Sequence, residues 1–207
     1  MTKRQTAPQS RYDPSAPRVS KREQLRNARR RRSLIWNVIV LGTLGLFLLS
    51  VVGYFLLNRR PGPLPGELVI ADEGAAVAPA GSSVTYDHYP PSSGPRYPEA
   101  APWGFSEQPV PEPTFVANLA RGGVVFLYHC DEPCPDLEQQ LRDLVAKAPP
   151  ESTYDLVKIL VSPYAGQLET PIVALAWDHQ LNLNAFDEAV LLRWYRRFVN
   201  LGPDVGR

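Results

Sequence analysis

Residues 123–147 read GVVFLYHCDEPCPDLEQQLRDLVAK, and the periodicity of this stretch changes once, at its cysteines. Gly123 to Tyr128 is a continuous apolar run of strand length, the pattern of a strand buried on both faces in mid-sheet. From Pro135 to Lys147 the apolar residues recur at helical spacing. Leu137, Leu141, Leu144 and Val145 share one face, and Pro135 suits a first turn, where a missing N–H costs nothing. A buried strand passing through a tight loop into an amphipathic helix predicts a small domain built on a mixed sheet, of the α+β class.

Toward the C-terminus, Asp155 to Val161 reads as a second strand and Ile172 to Trp177, opened by Pro171, as a third. A turn at Asp178-His179 leads to a fourth at Leu181-Asn182-Leu183. Ala185 to Asn200 predicts a closing helix, with Val190, Leu191, Trp194 and Phe198 inward and Arg193, Arg196 and Arg197 outward. Gly202-Pro203 stops it. The order of elements matches the core of a thioredoxin-like domain whose third helix has shrunk into residues 162–170. In that comparison Thr170-Pro171 takes the place of the cis-proline loop. A likeness at the level of fold carries no function.

Toward the N-terminus the composition changes. The chain has 22 prolines in 207 residues, about twice the usual share, and eight of them fall between Tyr86 and Thr114. No ladder strand tolerates that density, yet Tyr89, Tyr97, Trp103 and Phe105 are too apolar to leave in water. The expectation is an extended strap lying on the domain with its aromatics tucked beneath. Residues 58–83 read as a linker, opened by the stiff Pro61-Gly62-Pro63-Leu64-Pro65-Gly66 and carrying one short apolar run at Leu68-Val69-Ile70.

Before the linker, Leu34 to Leu57 reads LIWNVIVLGTLGLFLLSVVGYFLL, without a charge. It is long enough to cross about 30 Å of hydrocarbon as a helix. Trp36 and Tyr54 sit where aromatic residues favour the interface. The run exceeds the apolar core of a signal peptide and ends in Leu-Leu-Asn-Arg-Arg-Pro, a poor cleavage site, so an anchor is expected. Residues 1–33 carry eleven Lys and Arg against two acids, and residues 58–207 eleven against nineteen. The positive-inside bias then predicts a cytoplasmic tail at 1–33, a span at 34–57 and an extracytoplasmic domain at 84–207. Disorder is expected over 1–19 and a basic helix over 20–33. Arg29, Arg30, Arg31 and Arg32 are placed to meet anionic lipid. A basic head on an acidic body argues against a nucleic-acid-binding surface.

Cys130 and Cys134 are the chain's two cysteines, and the topology places both where disulfides persist. Three chemistries fit them: a static disulfide, thiol–disulfide exchange favoured by the helix N-terminus beside Cys134, and metal binding. The Cys-x-x-x-Cys-Pro loop at a strand-to-helix junction resembles the copper loop of the Sco-type copper chaperones. By that likeness Cys130 and Cys134 would be ligands to copper, with His179 available as the distant histidine of such sites, and the adjacent His129 adds an imidazole that suits copper beside soft sulfur. Asp131, Glu132, Asp136 and Glu138 read as a solvated acidic face. No Ser–His–Asp set, phosphate loop or paired carboxylates stand out, and no catalytic residue is assigned.

Pro90-Pro-Ser-Ser-Gly-Pro-Arg-Tyr97, Trp103-Gly104, Pro109-Val-Pro111, Asn118-Leu119, Gly122-Gly-Val-Val and Ala174-Leu-Ala-Trp177 together resemble the domain of unknown function 3105 family. The likeness runs from about Val84 to Pro203. Members of that family usually carry a set of histidines and a glutamate. Here Arg96, Ala117, Ala120 and Arg121 stand in those places, so the resemblance implies a degenerate site, because alanine cannot ligate and a guanidinium repels a cation. The expectation is a membrane-anchored, non-catalytic binding or structural module with an envelope protein as partner. The alternative is a redox or copper role centred on Cys130 and Cys134.

Overall fold

A computed structural model describes residues 21–57, 61–151 and 155–205; the expected disorder over 1–19 lies outside them. The chain divides into two units, Met1–Arg59 and Arg60–Arg207. The described residues of the first form α1 (Lys21–Leu57), so the basic stretch from Lys21 and the apolar run are one continuous helix. Within it, Trp36–Leu57 is long and apolar enough to cross a membrane. Two of its hydroxyls bond to the helix itself: the Thr43 hydroxyl donates to the Val40 carbonyl and the Ser50 hydroxyl to Phe47, each at 3.0 Å. Such bonding one turn back is what a helix in hydrocarbon requires.

The second unit runs β1 (Glu67–Val69), β2 (Gly104–Phe105), α2 (Glu112–Ala120), β3 (Val124–Tyr128) and α3 (Pro135–Lys147). It continues with β4 (Ile159–Pro163), β5 (Ile172–Ala176), β6 (His179–Leu183) and α4 (Glu188–Phe198). The α+β reading holds. The six strands form one mixed sheet in the order β1-β6-β5-β3-β4-β2. β4 is parallel to both β3 and β2, and the remaining pairs are antiparallel. Every residue of β3 is buried, which accounts for its unbroken apolar sequence. Val124, Phe126 and Tyr128 face a core made with Leu141 and Leu144 of α3 and Leu191, Trp194 and Phe198 of α4. Val125 and Leu127 face the opposite way, against Phe115, Val116 and Leu119 of α2 and Tyr86 of the strap.

Several expectations are corrected. The second strand begins at Ile159 rather than Asp155, because Asp155 adopts φ 52 in a turn. The closing helix begins at Glu188, after Asp187, whose carboxylate accepts the Val190 N–H at 3.0 Å and so fixes the start. The strap does not stay extended to Thr114: α2 begins at Glu112 with Pro113 in its first turn, where proline is welcome. Tyr86 is buried beneath the strap, whereas Tyr89 is 53% exposed. The one cis peptide among the described residues is Tyr89–Pro90, so Thr170–Pro171 is trans.

The stretch read as a linker is drawn into the domain. β1 pairs with β6, matching Glu67 with Leu181 and Val69 with His179, and Leu64 is buried in the core. Arg197, expected to point outward, donates to the Pro61 carbonyl at 2.8 Å and to Glu67 at 3.0 Å. The Gly122-Gly123 pair marks a close approach. A Cβ on Gly122 would lie 2.8 Å from Asn200 Cα, and one on Gly123 only 2.3 Å from the Trp103 ring.

Candidate functional site

β3 delivers His129 and Cys130 to the end of the sheet, and the chain returns through Asp131-Glu132-Pro133 to Cys134, which caps α3 ahead of Pro135. Cys130 and Cys134 form a disulfide with their Cα atoms 6.3 Å apart. Two backbone bonds hold the loop's base. The His129 N–H donates to the Pro171 carbonyl at 3.0 Å, and the Tyr164 N–H donates to the Tyr128 carbonyl at 2.9 Å. The first of these brings Pro171 beside the cysteine loop.

An open recess of about 350 Å3 lies over the disulfide. Glu107, Asp131, Glu132 and Glu138 line it, and no lysine or arginine does. At its floor Tyr128 stacks on Phe105, their ring centroids 5.9 Å apart. Burial, and then the charge of Glu138, push the Tyr128 phenol up to about 12, so it stays protonated at neutral pH. Arg142 lies over the Phe105 ring, 3.8 Å from its centroid, and reaches Glu107 at 3.3 Å. Arg142 is thus committed to the wall of the recess.

The metal-ligand reading fares unevenly. His129, Cys130 and Cys134 do share one loop, but the two sulfurs are bonded to each other, and a metal takes the thiolate. His179 is elsewhere. It pairs with Ala176 across the hairpin, whereas Tyr128 pairs with Ile172, which sets His179 about 13 Å farther along the strands. There it packs on Phe198 at 4.6 Å between centroids and lies 3.8 Å from Glu67. Among the described residues, no group of three or more His, Cys, Asp or Glu is placed to hold a metal ion.

The four positions that the resemblance singled out make structural contacts here. Arg96 is 6% exposed and is bonded to the Asp204 carboxylate and the Ala75 carbonyl. Ala117 and Ala120 are buried in α2, and the Ala120 carbonyl accepts the Asp204 N–H at 2.9 Å. Arg96 and Ala120 therefore meet through Asp204 and pin the C-terminal segment. Arg121 donates instead to the Pro98 carbonyl at 2.9 Å.

The model of the family described as protein of unknown function (DUF3105) matches residues 78–207. The chain belongs to the DUF3105 family. No curated protein and no solved structure matches it. The match begins a few residues before the likeness at Val84 and covers α2, the cysteine loop and the whole sheet except β1. Its first residues include Ala78, whose N–H donates to the Arg96 carbonyl at 2.8 Å, so this DUF3105 domain includes the segment that braces its strap.

One polar group in the domain was not foreseen. His88 Nε2 lies 2.8 Å from Gln180 Oε1, and the Gln180 amide donates to Asn182 Oδ1 at 2.8 Å. The alternation Gln180-Leu181-Asn182-Leu183 marks a polar face of β6, and period two could have shown it. Nothing in the sequence couples that face to a histidine 92 residues away.

Proposed function

We propose that the protein is a single-pass membrane protein whose C-terminal domain lies outside the cytoplasm and serves as a non-catalytic binding module of the cell envelope. The observation that carries this reading is the Cys130–Cys134 disulfide. A disulfide persists in an oxidising compartment, on the side that the arginine-rich flank of the apolar helix assigns to the domain. Residues 1–33 then stay in the cytoplasm, where Arg29, Arg30, Arg31 and Arg32 each contribute on the order of 1 kcal/mol near an anionic leaflet.

The surroundings of the disulfide favour structure over turnover. The carboxylates of the recess oppose a cysteine thiolate and repel an incoming anionic thiol. Closing a loop with a sequence separation of 4 stabilises the fold by about 2 kcal/mol in the chain-entropy account. Reduction, or Cys130→Ser with Cys134→Ser, is thus expected to lower the unfolding free energy by that amount while leaving the fold intact.

One element order supports a thioredoxin-like core and keeps a second reading in view. β6-β5-β3-β4 places the cysteine loop at the end of a central strand, beside Pro171. Topology and chemistry are tested together in cells expressing the chain. Protease added outside is expected to remove the domain and spare the 1–33 tail, and a membrane-impermeant maleimide is expected to label the cysteines only after reduction. Digestion of the tail with protection of the domain would invert the orientation. Catalysed dithiol exchange by the purified protein, or stoichiometric copper(I) uptake lost in Cys134→Ser, would replace the non-catalytic reading.

A further inference from the structure

A smaller and more enclosed recess lies between the strap and the β6 margin of the sheet, with a volume of about 170 Å3. Five or six waters would fill that space, and it falls below the range of pockets that take drug-sized ligands. Five segments build it: Leu68 of β1, His88 to Pro90 of the strap, Gln167 and Glu169 before β5, Val173 on β5, and Gln180 with Asn182 on β6. It lies on the sheet face away from α3 and α4, since Gln180 and Asn182 alternate with the core residues Leu181 and Leu183.

The polar groups here are ordered in one direction. The Gln180 amide N–H donates to Asn182 Oδ1, and the Asn182 amide reaches Glu169 at 3.5 Å. Gln180 Oε1 is therefore left as the acceptor toward His88 Nε2 at 2.8 Å, which makes that ring nitrogen the donor. Each amide spends one N–H and one lone pair in the chain and keeps one of each. Gln180 is only 5% exposed, so its remaining donor and acceptor have little but the recess to serve.

The walls are fixed before any ligand arrives. The Glu73 carboxylate accepts the backbone N–H groups of Asp87 and His88 at 2.9 and 3.0 Å. Gly94, at φ 109, donates to the Gly74 carbonyl at 2.8 Å, and a Cβ there would lie 2.9 Å from the Tyr86 ring. A strap held this way presents His88 without an ordering cost at binding.

The lining decides the ligand's chemistry. No lysine or arginine borders the recess, so an anion has no partner. One carboxylate, that of the exposed Glu169, is a weak hold for a cation. What remains is paired donors and acceptors on planar amides and an imidazole, flanked by the apolar faces of Leu68, Tyr89, Pro90 and Val173. A hydroxyl is donor and acceptor at once, and a ring bearing several hydroxyls also offers C–H faces to such walls. We propose that the recess between His88 and β6 binds a single neutral sugar ring, with its hydroxyls on Gln180, Asn182 and His88 and a C–H face against Tyr89 or Leu68. This assignment is independent of the state of the cysteines.

The test uses the full-length chain in a zwitterionic detergent, because glycosidic detergents would carry competing sugar heads. Saturation-transfer NMR is recorded with glucose, with N-acetylglucosamine and with a chitin trisaccharide. The expected result is transfer to the ring protons of at least one of them. Two variants locate it. Gln180→Leu removes the central amide, and Leu68→Trp fills the recess from an exposed edge position while leaving Gln180, Asn182 and His88 unchanged in sequence. Each is expected to weaken binding at least tenfold, and Leu68→Trp keeps the test valid if Gln180→Leu misfolds. Comparable binding of monosaccharide and trisaccharide identifies a free sugar as the ligand, and binding of the trisaccharide alone identifies a glycan chain end. Absence of transfer from all three, or transfer that survives both substitutions, overturns the proposal.

Discussion

On one face of the sheet, α3 and α4 lay down Leu141, Leu144, Leu191, Trp194 and Phe198, all buried. On the other, α2 covers the centre alone and proline-rich chain covers the rest. A helix satisfies its own interior N–H and C=O groups, so the first face needs only apolar volume to seal it. Irregular chain has no such internal ladder, and every buried backbone group in it needs an outside partner. Polar side chains supply them. Asn118, fully buried in α2, accepts from the Ala101 N–H at 2.9 Å and donates to the Ala101 carbonyl at 2.8 Å. Ser162 on β4 accepts the Val110 N–H at 2.9 Å. Arg96 and Glu73 do the same work farther along. One face is held by shape, the other by hydrogen-bond bookkeeping.

Substitutions can break that contrast. The largest expected effect is Trp194→Ala, a wholly buried side chain on the helical face, which should cost about 3–5 kcal/mol through the cavity it leaves. Asn118→Ala removes far less apolar volume but orphans two backbone groups of Ala101, for an expected loss of about 2–3 kcal/mol. Both are read by urea unfolding followed by circular dichroism. An Asn118→Ala cost below about 0.5 kcal/mol, the range of an ordinary surface change, would show that the strap does not depend on its polar supports.

The smallest effect sharpens the comparison at the sheet's margin. Burial, opposed by Glu67 and reinforced by Arg197, lowers the His179 pKa below 6.5. The unfolded chain then binds a proton before the folded one does, so stability is expected to fall as pH drops below about 6.5 and to level off beneath the folded pKa. His179→Phe, which can keep the packing on Phe198, should flatten that slope. A slope unchanged by the substitution would assign it to other groups.

How much of this could be read in advance follows the same division. α3 was legible to the residue, because a proline start, an apolar stripe and a lysine end all lie within thirteen residues. β3 and β5 were legible because burial on both faces leaves no polar residue in them. α2 was not: Pro109, Pro111 and Pro113 read as strap, although only the last belongs to the helix and sits where proline does no harm. β1 and β2 are too short to show a period and exist through partners more than fifty residues away. The cysteine loop was plain from spacing, whereas the bond between its sulfurs was one of three open chemistries. The His88–Gln180 contact and the Arg96–Asp204 pair join positions that no local pattern connects. Regular elements announce themselves through periodicity, and polar supports for irregular chain do not.

The two outermost strands have a consequence of their own. β1 is three residues long and β2 two, with Pro61, Pro63 and Pro65 ahead of one and Pro102 and Pro109 around the other. A neighbouring copy that tried to lengthen the ladder would find too few successive amide groups, interrupted by residues that have none to give. The sheet thus ends on both sides in stubs that stop fibre growth, and many copies can be crowded together without zipping into one another.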